Sequence, residues 1–321
     1  MLEQTAGRVR KQKPPRRKAK VQWSSYGYLA PALISIAVLS IVPILYTVYI
    51  AFTNFNAAHF LSYQFVGWHN FRELLTPGNP VSSLFIPTLI WTVTFALVTT
   101  ILNYVVGLFL AVMLNNRNMK ESAIYRSILI IPWAVPGLIS VLAWQGLLND
   151  NYGQINALLH SFGIPAVPWL TSPIWAKVAI FVVNLWVGFP YMMTVSLGAL
   201  QAVPGELYEA ASIDGASWRQ QFRFVTMPAI WKISLPLLIP SFAFNFNNFN
   251  AVYLLTSGGP ARSDNPFVGH TDILASAAYK MTLSFNRYDL SATISIILFI
   301  IVGLLSWLQM RYTGAFKEDD I

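Results

Sequence analysis

A short segment of the chain combines amide and aromatic side chains inside an otherwise apolar stretch. It reads Ser-Phe-Ala-Phe-Asn-Phe-Asn-Asn-Phe-Asn over residues 241–250. In a helix, positions i, i+3, i+4 and i+7 share one face. Four residues have this spacing: Ser241, Phe244, Asn245 and Asn248. Asn247 and Asn250 fall on a neighbouring stripe. Amides donate and accept hydrogen bonds, and rings stack on C–H surfaces. The segment could therefore bind a neutral polyhydroxylated ligand such as a sugar, or hold neighbouring helices together, and its chemistry leaves both open.

Two further segments place proline beside an aromatic residue within apolar stretches. They read Pro-Trp-Ala-Val-Pro-Gly over 132–137 and Gly-Phe-Pro-Tyr over 188–191. Proline removes a helix hydrogen bond, and inside a membrane the freed carbonyl is tolerated only where protein or a wet cavity satisfies it. Trp133 and Tyr191 beside these prolines favour a cavity lining over a packing kink. We therefore expect both helices to break at these positions.

A third segment, residues 203–228, predicts two short helices joined by a turn. Pro204 is favourable at the start of a helix, and Asp214-Gly215 is a turn signal. A second helix is expected to follow and to stop at Pro228. A DNA-binding unit has the same outline, but only two arginines would meet phosphate here. A docking element for a partner protein fits better than DNA binding or an inert connector.

These segments must be positioned by helices that cross a membrane. The 321 residues are 55% hydrophobic and only 11% charged, whereas soluble proteins are about 25% charged. The charges lie between long apolar blocks, each able to hold the roughly 20 residues that a transmembrane helix needs. We therefore predict an all-α polytopic membrane protein with six transmembrane helices. The predicted spans are 27–52, 87–114, 126–148, 174–200, 232–257 and 290–311.

The predicted spans lack the groups that several functions require. None contains a carboxylate, which ion-coupled carriers usually keep at membrane depth. Backbone carbonyls can also bind sodium, so a self-sufficient carrier or channel remains the second hypothesis. The chain has no Gly-x-x-x-x-Gly-Lys-Ser/Thr phosphate loop, no cysteine and no histidine pair with metal-ligand spacing. We expect no catalytic residue, metal or cofactor in this chain. If transport is driven by ATP, the energy must come from another subunit.

Lysine and arginine set the expected orientation. Most of them lie in an N-terminal tail, residues 1–25, and in alternate connections between spans. The positive-inside rule places that side in the cytoplasm. With an even number of spans in the membrane domain, residues 26–321, both termini are expected in the cytoplasm. The net charge of +8 comes largely from the tail, which we interpret as a topology anchor that attracts anionic lipid headgroups and not as a nucleic-acid-binding arm.

Residues of the 203–228 segment resemble a family signature. They are Glu209, Ala210, Ala211, Asp214, Gly215, Phe222 and Pro228. Between two late spans, this pattern is similar to the EAA loop of permease subunits in ATP-binding-cassette (ABC) importers. Both proline segments and residues 241–249, 254–260 and 269–272 resemble the larger permease subunit of maltose/maltodextrin importers. The close resemblance covers roughly residues 120–320.

The resemblance implies a fold, a location and a set of partners. The fold is the type I ABC-importer permease fold, in the cytoplasmic (inner) membrane of a bacterium or archaeon. The implied partners are a second permease in a heterodimer, two copies of an ATP-binding subunit inside, and a sugar-binding protein outside. ATP and Mg²⁺ would bind to the ATPase subunits, which the EAA loop would couple to this non-catalytic chain.

The family's sugar-contacting positions fall on eight residues of this sequence. They are Trp133, Val187, Gly188, Tyr191, Ser241, Phe244, Asn245 and Asn248. This set includes the helix face described above, which favours a sugar site over a helix contact. Trp133 and Val187 stand where the best-known pattern has a tyrosine and a leucine, and the indole lacks a phenolic hydroxyl. The implied substrate is therefore maltose/maltodextrin or a related α-glucoside such as trehalose.

Overall fold

The computed structural model of the protein describes residues 23–116 and 119–313. In these residues nearly all regular structure is helical, and extended pairing is limited to two isolated bridges, Thr53–Phe65 and Ala261–Gly269. The all-α prediction is therefore confirmed. The predicted basic tail, 1–25, lies almost wholly outside the described residues.

The described helices are connected mostly by short loops. In chain order they are α1 (Trp23–Ile36), α2 (Val42–Ala51), α3 (His69–Leu75), α4 (Pro80–Leu114), α5 (Ser122–Ala134), α6 (Gly137–Leu147), α7 (Gln154–Ser161), α8 (Pro173–Gln201), α9 (Gly205–Ile213), α10 (Trp218–Gln221), α11 (Met227–Phe246), α12 (Phe249–Thr256), α13 (Leu274–Leu283) and α14 (Tyr288–Thr313). Turns of π-helix join α1 to α2 (Ala37–Ile41) and α10 to α11 (Phe222–Thr226).

The chain forms two compact units, which divide after Tyr46. The first unit is helical from Trp23 onwards, and most of its large apolar side chains are exposed. The second unit contains the rest of the described chain and a packed apolar core built mainly on α4, α8, α13 and α14.

Five helical stretches are long and apolar enough to cross a membrane. They are Gly27–Ala51, Pro80–Leu114, Pro173–Gln201, Trp218–Thr256 and Tyr288–Arg311. A sixth arises when α5 and α6, which meet at an angle of 89°, are taken as one bent span. The protein is therefore a polytopic membrane protein, as its apolar blocks indicate.

The break predicted near Pro136 is present. The chain is extended at Val135 (φ −79°, ψ 133°), and α6 starts after Pro136. A residue before proline is pushed out of the α region, and proline itself donates no hydrogen bond to the preceding turn. These local effects separate α5 from α6.

The break predicted at residues 188–191 is wrong. Helix α8 runs unbroken from Pro173 to Gln201 with Pro190 in its interior. Phe189, Pro190, Met192 and Met193 are all buried. Tertiary packing supplies most of the stability of a helix in a protein. The burial of these four side chains therefore outweighs the loss of the single hydrogen bond that Pro190 removes.

The helix expected to stop at Pro228 also continues. Residues 218–246 are helical throughout, with a π turn at Phe222–Thr226 immediately before α11. The backbone N–H of Met227 bonds to the carbonyl of Phe222, five residues earlier. In this wider turn the backbone hydrogen bonds span five residues instead of four. The change falls immediately before Pro228, which has no N–H to donate. The predicted span 232–257 therefore starts well inside a longer helix.

Helix α4 begins at Pro80, earlier than the predicted span at 87. Asn79 caps this helix, since its Oδ1 accepts a hydrogen bond from the backbone of Ser82 at 2.7 Å. The Ser82 hydroxyl accepts one in return from the backbone of Asn79 at 3.4 Å. This capping box satisfies two donors at the helix start, and Pro80 suits the first helical position.

Helices α4 and α8 approach closely through two glycines. A Cβ added at Gly107 of α4 would lie 2.6 Å from the backbone nitrogen of Met193 in α8. A Cβ added at Gly188 of α8 would overlap the side-chain amide of Asn103 in α4. Small residues let backbones come into contact in membrane bundles. The contact fixes these two helices at the level where Asn103 and Gly188 lie.

We expect Gly107→Ala to lower the thermal stability of the protein in detergent. The added methyl group would collide with the backbone of α8, and overpacking a filled contact costs about 1–3 kcal/mol. Unfolding followed by circular dichroism measures the change. Gly198→Ala in α8 is the matched control, because a Cβ there meets nothing within 4 Å. An equal loss of stability in both variants would contradict the close-contact explanation.

The loop between α12 and α13 is organised around a buried carboxylate. Asp272, only 1% exposed, accepts hydrogen bonds from the Gly269 backbone at 2.7 Å, the Ser276 hydroxyl at 2.7 Å and the Lys280 ammonium at 2.6 Å. Gly258 adopts φ +78°, and a Cβ there would overlap the carboxylate. The loop is therefore anchored to α13, and a glycine is required at position 258.

Candidate functional site

One cleft in the membrane domain brings all eight sequence-predicted binding residues together. Its volume is about 430 Å³. Trp133 comes from the end of α5, three residues come from the middle of α8, and the others lie at the junction of α11 and α12. The predicted residues that line it are Trp133, Val187, Gly188, Tyr191, Ser241, Phe244, Asn245 and Asn248.

Four further residues line the same cleft and were missed by sequence reasoning. They are Asn103 of α4, Asn184 and Met192 of α8, and Pro240 of α11. The side-chain Oδ1 of Asn103 is buried without a hydrogen-bond partner among the described residues. Asn103 is the only asparagine of the predicted span 87–114, and this could have indicated a functional role. Polar residues at membrane depth are costly and usually have such a role.

The helix that carries the amide segment breaks inside the cleft. Helix α11 ends at Phe246 and α12 begins at Phe249, so the expectation of one continuous helical face over residues 241–248 is wrong. Asn248 is the N-cap of α12, and its Oδ1 accepts a hydrogen bond from the Ala251 backbone at 3.4 Å. An asparagine at this position satisfies an orphan donor at a helix start, which favours a break over a continuous helix.

Two of the asparagines also link helices. The Asn245 amide donates to the Thr100 hydroxyl of α4 at 3.0 Å. The Asn248 amide donates to Oδ1 of Asn184 in α8 at 3.1 Å. The helix-contact role considered for this segment is therefore real, and it coexists with a position on the cleft wall. These bonds hold the amides in fixed orientations, which favours binding because little side-chain freedom is left to lose.

Aromatic rings form the other part of the wall. The Trp133 and Tyr191 rings are 6.2 Å apart at an angle of 46°, and these side chains are 55% and 39% exposed. Phe244 is 71% exposed. Large aromatic surfaces left uncovered in this way offer stacking faces to a ligand.

The cleft wall carries no charge. Among the described residues, none that lines it is Asp, Glu, Lys or Arg. Outside the spans, groups of the loop between α12 and α13 have shifted pKa values. The hydrogen bond from Arg262 lowers the pKa of Asp264. Partial burial, helped by the positive charges of Arg262 and Lys177, lowers the pKa of His270 and so favours its neutral form. The cleft itself suits an uncharged ligand with many hydroxyl groups.

The 203–228 segment forms a helix–turn–helix. Helix α9 ends at Ile213, and Gly215 adopts the left-handed conformation with φ +77°. The Gly215 N–H bonds to the Ser212 carbonyl at 3.1 Å, and the Ala216 N–H bonds to the Ala211 carbonyl at 2.9 Å. This pair of bonds is the Schellman motif. Glycine is favoured at its left-handed position because it has no Cβ.

Side-chain hydrogen bonds make the two helices of this segment one unit. The Tyr208 hydroxyl lies 3.0 Å from the Thr226 hydroxyl, and Gln221 donates to the Ser212 hydroxyl at 3.0 Å. Of the five predicted coupling residues, Glu209, Ala210, Asp214 and Gly215 are exposed and Ala211 is half-buried. Ile213, beside them, is 87% exposed. A mixed polar and apolar surface on a rigid unit is typical of a protein contact.

A continuous helix connects this surface to the cleft. From Trp218 to Phe246 the backbone is helical without interruption, a distance of about 40 Å at 1.5 Å per residue. Its far end carries Ser241, Phe244 and Asn245 of the cleft wall. One helical run therefore joins the helix–turn–helix to the wall of the cleft.

The fold and these two sites define a class of protein, and comparison with known families agrees. Residues 103–313 match the family described as binding-protein-dependent transport system inner membrane component. The match covers most of the chain, which belongs to this family of ABC-importer permeases. The predicted resemblance to the larger permease of maltose-type importers is confirmed.

Several curated permeases are similar to this chain. The galactooligosaccharides transport system permease protein GanP of Bacillus subtilis (strain 168) is 37% identical over 98% of this chain and 77% of its own length. The maltodextrin transport system permease protein MdxF of the same organism is 35% identical over 92% of this chain and 70% of its own. The maltose/maltodextrin transport system permease protein MalF of Vibrio vulnificus (strain YJ016) is 42% identical over 77% of this chain and 48% of its own.

Solved structures show the same fold. A chain from the bacterial alginate ABC transporter, in complex with an alginate pentasaccharide-bound periplasmic protein, superposes with a TM-score of 0.75. The superposition covers 93% of this chain and 96% of that one at 21% identity. A second crystal structure, of a bacterial ABC transporter involved in alginate import, gives 0.72.

Proposed function

We propose that this chain is the membrane-spanning subunit of an ATP-driven, binding-protein-dependent oligosaccharide importer and forms half of its translocation path. The observation that carries the proposal is the meeting of eight predicted sugar-contacting residues in one cleft whose wall is uncharged. The proposed substrate is maltose/maltodextrin or a related α-glucoside such as trehalose. Relatives named for maltodextrin and for galactooligosaccharides support an oligosaccharide.

The chemistry of the cleft suits this substrate. Amides of Asn245 and Asn248 are held by neighbouring helices at the wall and can exchange hydrogen bonds with sugar hydroxyls. Trp133, Tyr191 and Phe244 offer exposed rings to the C–H faces of sugar rings. A neutral wall avoids the cost of burying a charge against an uncharged ligand.

The proposed coupling element is the helix–turn–helix of residues 203–228. Glu209, Ala210, Ala211, Asp214 and Gly215 would contact one of two identical ATPase subunits, which bind ATP and Mg²⁺. The long helix from Trp218 to Phe246 would carry the resulting movement to the cleft. A second permease would complete the path, and a sugar-binding protein would deliver substrate from outside, with both termini of this chain in the cytoplasm.

Uptake by the reconstituted complex tests this function. The chain is co-expressed with its cognate permease and ATPase subunits, placed in vesicles with ATP inside, and supplied with the binding protein and labelled maltose, maltotriose, trehalose or a galactooligosaccharide. We expect uptake of at least one saccharide that requires both ATP and the binding protein. Uptake by the purified chain alone would instead establish a self-sufficient carrier or channel, and no saccharide uptake by the full complex would refute the proposal.

Asn248 has two roles that substitutions can separate. We expect Asn248→Ala and Asn248→Ser each to reduce sugar uptake about five- to tenfold, because both remove the amide from the cleft. Both variants lose the bond to Asn184, and the alanine variant should be less stable than the serine variant by about 1 kcal/mol, since serine still caps a helix. Uptake and thermal unfolding are measured on the same preparations. Wild-type uptake by the serine variant would show that the Asn248 amide does not contact the sugar.

A further inference from the structure

A second cleft adjoins the first at the break between α11 and α12. Its volume is about 390 Å³, and its lining includes Phe244 and Asn248, which also line the first cleft. The other lining residues are Ala243, Asn247, Phe249, Asn250 and Val302. The two clefts therefore share a wall made of one aromatic ring and one amide.

Two exposed side-chain amides line this second cleft and do not line the first. Asn247 and Asn250 are both exposed, and no side-chain hydrogen bond ties either amide to the described part of the chain. They lie within the membrane-spanning stretch Trp218–Thr256, where contact with lipid would leave their donors and acceptors unsatisfied. Amides at such a depth favour a wet, ligand-accessible cleft.

The aromatic ring on the apolar side of this cleft packs against two other rings. The Phe249 ring stacks on Tyr253 with centroids 4.8 Å apart, and it contacts Tyr279 at 4.9 Å. The Phe244 ring stands between the two clefts and is 71% exposed. An oligosaccharide that crosses Phe244 would find amides and an aromatic ring on both sides of it.

We infer that the second cleft binds the additional sugar residues of an oligosaccharide whose end occupies the first cleft. This inference rests on the proposed function and extends it, since it assigns chain-length preference to Asn247 and Asn250. The first cleft would accept a disaccharide alone. The second would contribute only when the substrate is longer.

Uptake of a length series tests the inference. Vesicles with the complete complex, carrying the wild-type chain, Asn247→Leu or Asn250→Leu, are given maltose, maltotriose and maltotetraose, or the corresponding series of whichever saccharide the wild type transports. Leucine keeps the approximate volume and removes the amide. We expect uptake of the longer sugars to fall about fivefold in each variant and uptake of the disaccharide to stay within about twofold. The same change at the exposed Asn151, which lines neither cleft, should alter neither.

Each other result overturns the inference. An equal fall for all lengths, or no fall for any, would show that the amides do not select chain length. If the second permease no longer co-purified with the variants, this cleft would be a contact between the two permeases and not a sugar site. If the wild-type complex transported only disaccharides, the second cleft would not bind the additional residues of a longer sugar. A wild-type complex that transports no saccharide would refute the proposed function itself, and thereby this inference as well.

Discussion

Gly215→Val should abolish most of the ATP-dependent sugar uptake of the complex, with a loss of up to about a hundredfold. Gly215 holds the left-handed position of the turn between α9 and α10, at φ +77°. A β-branched residue in this conformation costs about 1–3 kcal/mol, and 3 kcal/mol corresponds to more than a hundredfold in an equilibrium. The exposed turn has no core around it to hold the strained form, so α9 should lose its orientation relative to α10.

The cause of this loss can be separated from simple crowding. A Cβ at Gly215 meets nothing within 4 Å, so the penalty is conformational. Asparagine tolerates the left-handed region far better than valine, and Gly215→Asn should therefore keep most of the uptake. Uptake, ATP hydrolysis and the amount of co-purified ATPase are measured for both variants. Full uptake by the valine variant would refute the coupling role of this turn.

Phe244→Ala should reduce the apparent affinity for sugar by roughly thirtyfold. The ring is 71% exposed in the chain alone, so its removal leaves little unfilled space in the protein. Covering a phenylalanine side chain with ligand is worth about 2 kcal/mol, which corresponds to this factor. The concentration dependence of uptake in vesicles measures the change, and the basal ATP hydrolysis of the complex should stay the same.

Phe299→Ala is the matched control for this variant. Phe299 lies on α14, is 69% exposed and lines neither cleft. Its removal should leave the affinity for sugar unchanged. If both variants lowered uptake equally without a change in concentration dependence, the effect of Phe244 would lie in assembly and not in sugar binding.

The sequence predicted an all-α membrane protein, because the cost of placing charge in a bilayer confines charged residues to the connections between long apolar helices. It also predicted the break at Pro136, where the effect of proline acts on the adjacent residue. It failed at Pro190 and Pro228, because burial against neighbouring helices and a π turn decide those positions. Neither is visible in the local pattern of residues.

The cleft shows a similar division between local and distant effects. The i, i+3, i+4, i+7 spacing singled out four residues that do meet in one cleft, although the helix assumed for them breaks before Asn248. Asn103 and Asn184 come from distant parts of the chain. Their place in the same cleft depends on the packing of α4 along α8, and the spacing of residues within one segment carries no information on that packing.

The glycine contact between α4 and α8 has a consequence for changing what this transporter carries. At Gly107 and Gly188 an added methyl group meets the opposing helix, so variation there is penalised before any new ligand is tried. Trp133, Tyr191 and Phe244 keep open space beside them. Directed evolution toward other saccharides should therefore place its mutations at these three ring positions and leave the paired glycines untouched.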